Sequence, residues 1–180
     1  MIYCYLADGF EEIEALATVD IIRRAGLELK TVGVGKKQIC GAHGICVESD
    51  ISEAEVILDT DLQAVILPGG MPGTLNLEKS EAVQRAIDFA AEDGKLLCAI
   101  CAAPLILGHK GLLKGKEAIA YPGFEKELIG AVISRDSVVR DGNVITAKGA
   151  GVAVDFGLKI VAALCSDEKS YEIRSAMQCI

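Results

Sequence analysis

Residues 96–104 read Leu-Leu-Cys-Ala-Ile-Cys-Ala-Ala-Pro. The run up to Ile100 is apolar without interruption and of strand length, as expected for a central parallel strand covered on both faces. Ala102 and Ala103 are small enough for a tight bend, and Pro104 suits the first turn of a helix, where its missing N–H costs nothing. The segment therefore predicts strand, turn and helix, with Cys101 on the turn. The same grammar appears upstream, where Ala64-Val65-Ile66-Leu67 stops at Pro68-Gly69-Gly70. Ile2 to Ala7 reads as a first buried strand that turns at Asp8-Gly9-Phe10 into a helix from about Glu11 to Ala25. Glu11, Glu12 and Glu14 lie in its first turn and Arg23-Arg24 in its last, each sign suited to the helix dipole, with Gly26 where a left-handed cap belongs.

Working outward, Leu29 to Val34 reads as a second strand, Cys40 to Val47 as a hairpin pivoting near His43-Gly44, and Ser52 to Glu55 as a capping box on a very short helix. A helix over about Ser80–Glu92 joins the two central strands. Beyond the Cys101 helix, which runs to about Lys110, strands are predicted near 118–121, at 138–139 and, more clearly, at 144–147. Helices at about 152–164 and 168–177 close the chain. Alternating strands and helices specify an α/β fold: a flavodoxin-like, doubly wound, mostly parallel sheet sandwiched by helices. Without an internal repeat, low-complexity tract or linker, residues 1–180 are predicted to form one domain.

Composition excludes several classes. The net charge of −8, with no basic run longer than Arg23-Arg24 or Lys36-Lys37, argues against a nucleic-acid surface. No stretch approaches the roughly 18–20 apolar residues that span a bilayer, and the N-terminus lacks a basic region and cleavage site. A cytoplasmic address is the expectation. The seven cysteines lack framework spacing, so in a reducing compartment they are expected to default to buried thiols.

Cys101 is the expected exception. A thiol delivered by a central strand onto a strand–turn–helix elbow meets free N–H groups and the positive helix end, which predicts a lowered pKa. In doubly wound sheets the ligand crevice lies at the carboxyl ends of such strands. The Gly69-Gly70 turn, the glutamates after the first strand and Gly149-Ala150-Gly151 converge on that edge. A carboxyl beside a developing thiolate should keep its proton. Other signals are set aside. Cys98 and Cys101 match C-x-x-C, but an extended strand separates their Cα atoms by roughly 10 Å, too far for a disulfide. No second pair has zinc-site spacing, and Val154 stands where a dinucleotide fingerprint needs its third glycine.

ADGFEEIEA (7–15), VILPGGMPG (65–73), AICAAP (99–104) and KGAGVAVDFGLKI (148–160), in this order and spacing, resemble the ThiJ/PfpI superfamily and above all its DJ-one branch. The resemblance spans nearly the whole chain. It implies a fold of the class I glutamine amidotransferase type and a homodimer. It places the nucleophile on Cys101, a protonated glutamate on Glu14, and oxyanion donors on the backbone N–H groups of Gly70 and Ala102. Gly69, His43, Tyr121 and Gly149 are candidate pocket residues, with His43 or a partner-chain residue left open as completing it. The departures matter too. Peptidase-like members carry His immediately after the nucleophile, where this chain has Ala102, and some relatives have His where this chain has Tyr121. His109 is expected to be structural or at the surface.

Three functions are carried forward. The first is cofactor-independent, metal-free glyoxalase or deglycase chemistry on a small reactive carbonyl, with Cys101 attacking and Glu14 moving protons. The second is a redox sensor or chaperone acting through Cys101 oxidation. The third, an amidase or peptidase, is implied by the superfamily alone.

Overall fold

The computed structural model describes residues 1–179. Strands β1 (Ile2–Leu6), β2 (Leu29–Gly33), β3 (Gln38–Cys40), β4 (Cys46–Glu48), β5 (Ile51–Ser52), β6 (Ala64–Leu67), β7 (Leu96–Ile100), β8 (Glu117–Ala118), β9 (Val132–Ile133), β10 (Val138–Asp141) and β11 (Val144–Ala147) alternate with helices. The helices are α1 (Glu12–Arg24), α2 (Gly73–Lys79), α3 (Glu81–Glu92), α4 (Pro104–His109), α5 (Ala153–Leu164) and α6 (Asp167–Ala176). Seven strands form the central sheet in the order β10-β11-β7-β6-β1-β2-β5. All its pairings are parallel except β10 with β11. The hairpin β3–β4 and the pair β8–β9 stand apart from it.

Strand alternation sorts the core into two layers. Ile2, Cys4 and Leu6 of β1, Ala64 and Ile66 of β6, and Leu96, Cys98 and Ile100 of β7 face α1, α5 and α6. Tyr3, Tyr5, Val65, Leu67, Leu97 and Ala99 face α2, α3 and α4. Burial on both faces explains why the central strands read as unbroken apolar runs. Cys98 is a free, fully buried thiol of this core, as expected from its place in the strand.

Strand order reverses between β1 and β6, which run parallel: α1 carries β1 outward to β2, whereas β6 and β7 lie on the other side. Such a reversal opens a crevice at the carboxyl ends of the strands. It lies where Cys101, the Gly69-Gly70 turn and the start of α1 are found.

Helix α2 and strands β5 and β9 depart from the sequence reading: α2 follows Pro72 without a side-chain cap, and β5 and β9 are two-residue strands. The larger correction concerns cysteine. Cys40 and Cys46 are joined in a disulfide, while Cys165 is an exposed thiol and Cys179 a half-buried one. Of the free cysteines, Cys4 and Cys98 are the buried ones. Antiparallel register sets Cys40 directly opposite Cys46, a cross-strand relation that a count of cysteines and spacings does not reveal.

Candidate functional site

Cys101 follows β7 and has φ of 65°, in the left-handed region that a side chain rarely occupies. Its own backbone is clamped on both sides. The Cys101 N–H donates to the Ala147 carbonyl at 2.8 Å, and its carbonyl accepts from the Tyr121 N–H at 2.7 Å. These bonds, from the end of β11 and from the segment after β8, hold the elbow in its strained conformation. Pro104 opens α4, as expected.

Glu14 comes from the other side of the crevice. Glu11 caps α1 by accepting the Glu14 N–H at 2.7 Å, and Glu14, in the first turn of the helix, is buried to 1% exposure. Its Oε2 accepts the Gly69 N–H at 2.9 Å, whereas Oε1 is buried with no protein partner. Gly69 is where both groups meet. A Cβ there would lie 2.6 Å from Cys101 Cβ and 2.7 Å from Glu14 Oε2, so only glycine lets them pack against one backbone position. Gly70, with φ of 93°, turns its N–H toward the sulfur.

The electrostatics correct one expectation. Burial, followed by the Glu14 carboxylate beside it, pushes the Cys101 thiol up to about 12, although the Ala102 and Gly70 N–H groups pull the other way. A lowered value was predicted from the helix end alone. Half-burial and an adjacent carboxylate outweigh two amides and a short helix. Burial also raises Glu14, to about 7, against the opposing pull of its hydrogen bonds to Cys101 and Gly69. The two groups compete for one negative charge. Protonating Glu14 removes its repulsion and converts it into a donor to the sulfur, so the arrangement admits a thiolate only beside a neutral carboxyl.

Of the remaining candidates, Ala102 follows Cys101 and Tyr121 is held at its carbonyl. The Tyr121 ring stands against Gly149, where a Cβ would be 3.3 Å from Cδ2. His43 is 70% exposed and engages Glu12, with Nδ1 2.8 Å from Oε2 and no hydrogen bond to Cys101 or Glu14. His109 bridges Glu78 Oε1 at 2.6 Å and Glu127 Oε2 at 3.1 Å. Sequence reasoning placed Glu12 in the acidic first turn but missed its role, as a buried carboxylate whose Oε1 accepts the His43 and Ile45 N–H groups and fastens the hairpin to α1. It also missed the Ala147 carbonyl, for which no side-chain signal exists. Among the described residues, Glu11, Glu12 and His43 alone gather His, Cys or acidic groups closely enough to share a cation, and the Glu12 oxygens are already taken by the hairpin.

Residues 1–163 match the DJ-1/PfpI family. The chain belongs to the DJ-1/PfpI family. Its similarity to protein dj-1beta of Drosophila melanogaster is 34% identity over 175 residues, covering 96% of this chain and 93% of that protein. The crystal structure of the same DJ-1beta matches with a TM-score of 0.92 at 32% identity, covering 99% of this chain and 97% of the other. A Caenorhabditis elegans member, named glutathione-independent glyoxalase DJR-1.2, is 32% identical over 161 residues, which is 89% of this chain and 86% of that protein. DJ-1 homolog A of Arabidopsis thaliana is 33% identical over 178 residues, and the chain spans about half of it, 45%. The DJ-1/PfpI chain described here shares with these structures the mostly parallel sheet flanked by helices. Among its described residues no helix is long and apolar enough to cross a membrane.

Proposed function

We propose that the protein converts a small α-oxoaldehyde such as methylglyoxal to the corresponding 2-hydroxy acid, with Cys101 as nucleophile and Glu14 as proton carrier. The observation that carries this reading is the partnerless Oε1 of Glu14, buried beside a cysteine held at positive φ. In the proposed sequence Glu14 holds a proton and Cys101 the negative charge. The sulfur attacks the aldehyde carbon, and the new alkoxide takes a proton to give a hemithioacetal. The Gly70 and Ala102 N–H groups face the oxyanion. Glu14, left ionised after protonating that alkoxide, takes the proton from the former aldehyde carbon to give an enediol and returns it to the neighbouring carbon, while the hydroxyl proton passes from the first oxygen to the second. The resulting thioester on Cys101 is hydrolysed by water, which releases the hydroxy acid and regenerates the thiol. The Tyr121 ring and Gly149 form the near wall. A carboxyl near pKa 7 suits this work, because it gives up and regains a proton at neutral pH. The name of the C. elegans relative supports the same class. The proposal includes a single domain acting in the cytoplasm as a homodimer, a particle of about twice 19.0 kDa.

The test is methylglyoxal turnover without added cofactor, in buffer free of amines. Turnover should vanish in Cys101→Ser and Glu14→Ala. Turnover no faster than buffer would sink the proposal. A second reading rests on the half-exposed sulfur facing two N–H groups and a carboxyl, which together could hold the oxygens of a sulfinate. Peroxide should then add two oxygens at Cys101 alone; modification spread over the free cysteines would rule it out.

A further inference from the structure

The Cys40–Cys46 pair lies outside the proposed chemistry of Cys101 and is built differently. Cys40 ends β3 and Cys46 begins β4; they face each other across the ladder with Cα atoms 3.9 Å apart. Backbone and carboxylate bonds already hold the hairpin closed around them. Gly41 N–H donates to the Ile45 carbonyl at 2.9 Å, Ala42 N–H to the Phe10 carbonyl at 2.8 Å, and the Glu12 carboxylate accepts from His43 and Ile45. On the β3 side, Gly9 N–H donates to the Cys40 carbonyl, and Cys40 N–H to Asp8 Oδ1.

Two consequences follow. A disulfide stabilises chiefly by closing a loop in the unfolded chain, and this effect grows slowly with loop length; a separation of six residues contributes less than a longer loop would, in a hairpin that hydrogen bonds already close. Those same bonds do not involve sulfur, so they keep the two thiols opposed after reduction, at high effective concentration for re-forming the bond. Accessibility is asymmetric: Cys46 is exposed and Cys40 is half-buried.

We propose that Cys40 and Cys46 form a thiol–disulfide exchange site, distinct from Cys101, that cycles with low-molecular-weight thiols. A thiolate of the small thiol attacks Cys46 Sγ, the bond to Cys40 breaks, and the Cys40 sulfur leaves with the electron pair and takes a proton. A second small thiol attacks the mixed disulfide on Cys46, releasing the symmetrical small disulfide and the Cys46 thiol. Two small thiols are oxidised and one protein disulfide is reduced, and the reverse sequence re-forms it.

The experiment uses full-length Cys101→Ser protein equilibrated in reduced and oxidised glutathione at graded ratios. It is quenched in acid, unfolded, alkylated and mapped by mass. The expected result is that Cys40 and Cys46 gain alkylation together with one two-electron midpoint. Cys40→Ser should trap glutathione on Cys46, and Cys46→Ser should take it up on Cys40 at least tenfold more slowly. Three results would overturn the proposal. The pair could stay fully alkylated at the most oxidising ratio, stay joined under excess dithiothreitol in the folded protein, or leave all glutathione on Cys165 or Cys179. The paired midpoint is read without either serine variant at the hairpin, so a folding failure in one of them leaves the test intact.

Discussion

At the scale of single residues, the site turns on where one proton rests. With Glu14 ionised, its charge adds to burial in holding the Cys101 thiol near 12. Glu14→Gln keeps the volume and removes the charge, so the thiol pKa should fall and Cys101 should alkylate several-fold faster at pH 9. Turnover should nonetheless fall by about 10²-fold or more, because an amide cannot carry a proton. A variant that alkylated no faster than the parent would contradict the shared-charge account. The sign for stability also follows from Glu14. Its folded pKa is raised from 4.5 to about 7, so its contribution is fully present below the unfolded value and is lost as pH climbs through about 7. Denaturant unfolding at pH 5 and pH 8 should show the parent losing on the order of 2 kcal/mol relative to Glu14→Gln. Gly69→Ala tests the packing, since the added methyl meets Cys101 Cβ and Glu14 Oε2 inside contact distance. It should cost about 1–3 kcal/mol of stability and most of the activity, with the stability measured by urea melts.

At the scale of elements, much was legible. The acidic start of α1, its Arg23-Arg24 end and Pro104 at the head of α4 are local signals whose physics lies within one turn of chain. Helix α2 was illegible because nothing local starts it, and its apolar side, Leu77 with buried Thr74, gains meaning only against the sheet. His109 shows the same limit. It reads as structural or at the surface, but its partners are not legible: it links Glu78 of α2 to Glu127 across the end of α4. The Glu78 carboxylate, then Glu127, raises its pKa above 6.5. Stability from this link is therefore present below pH 6.5 and is lost as pH rises through the raised value. His109→Gln should lower the melting temperature at pH 5.5 and match the parent at pH 9. An equal deficit at both pH values would show that the imidazolium charge is not what matters.

For the whole molecule, the position of Glu14 depends on a layer packed beneath it. Helix α1 lies on α5 and shares a core with it in which Phe156 is fully buried. Phe156→Ala should cost about 3–5 kcal/mol, read as a lower urea midpoint with an unchanged slope. A loss under 1 kcal/mol would mean that the α1–α5 layer is not the support described. Strand order accounts for the rest. Three chain segments separated by dozens of residues reach one crevice because strand order reverses between the parallel strands β1 and β6.

The family resemblance singled out Glu14 among Glu11, Glu12 and Glu14; by itself the sequence determined the alternation of buried strands and capped helices and the turn that presents Cys101. Those features are written in contiguous residues, where periodicity and capping act. Only the tertiary structure decided that Cys40 faces Cys46, that His43 serves Glu12, and that burial beside a carboxylate raises the Cys101 thiol instead of lowering it. Each depends on what distant parts of the chain bring within a few ångströms, and charge, desolvation and disulfide bonding are set by that proximity, not by order along the chain.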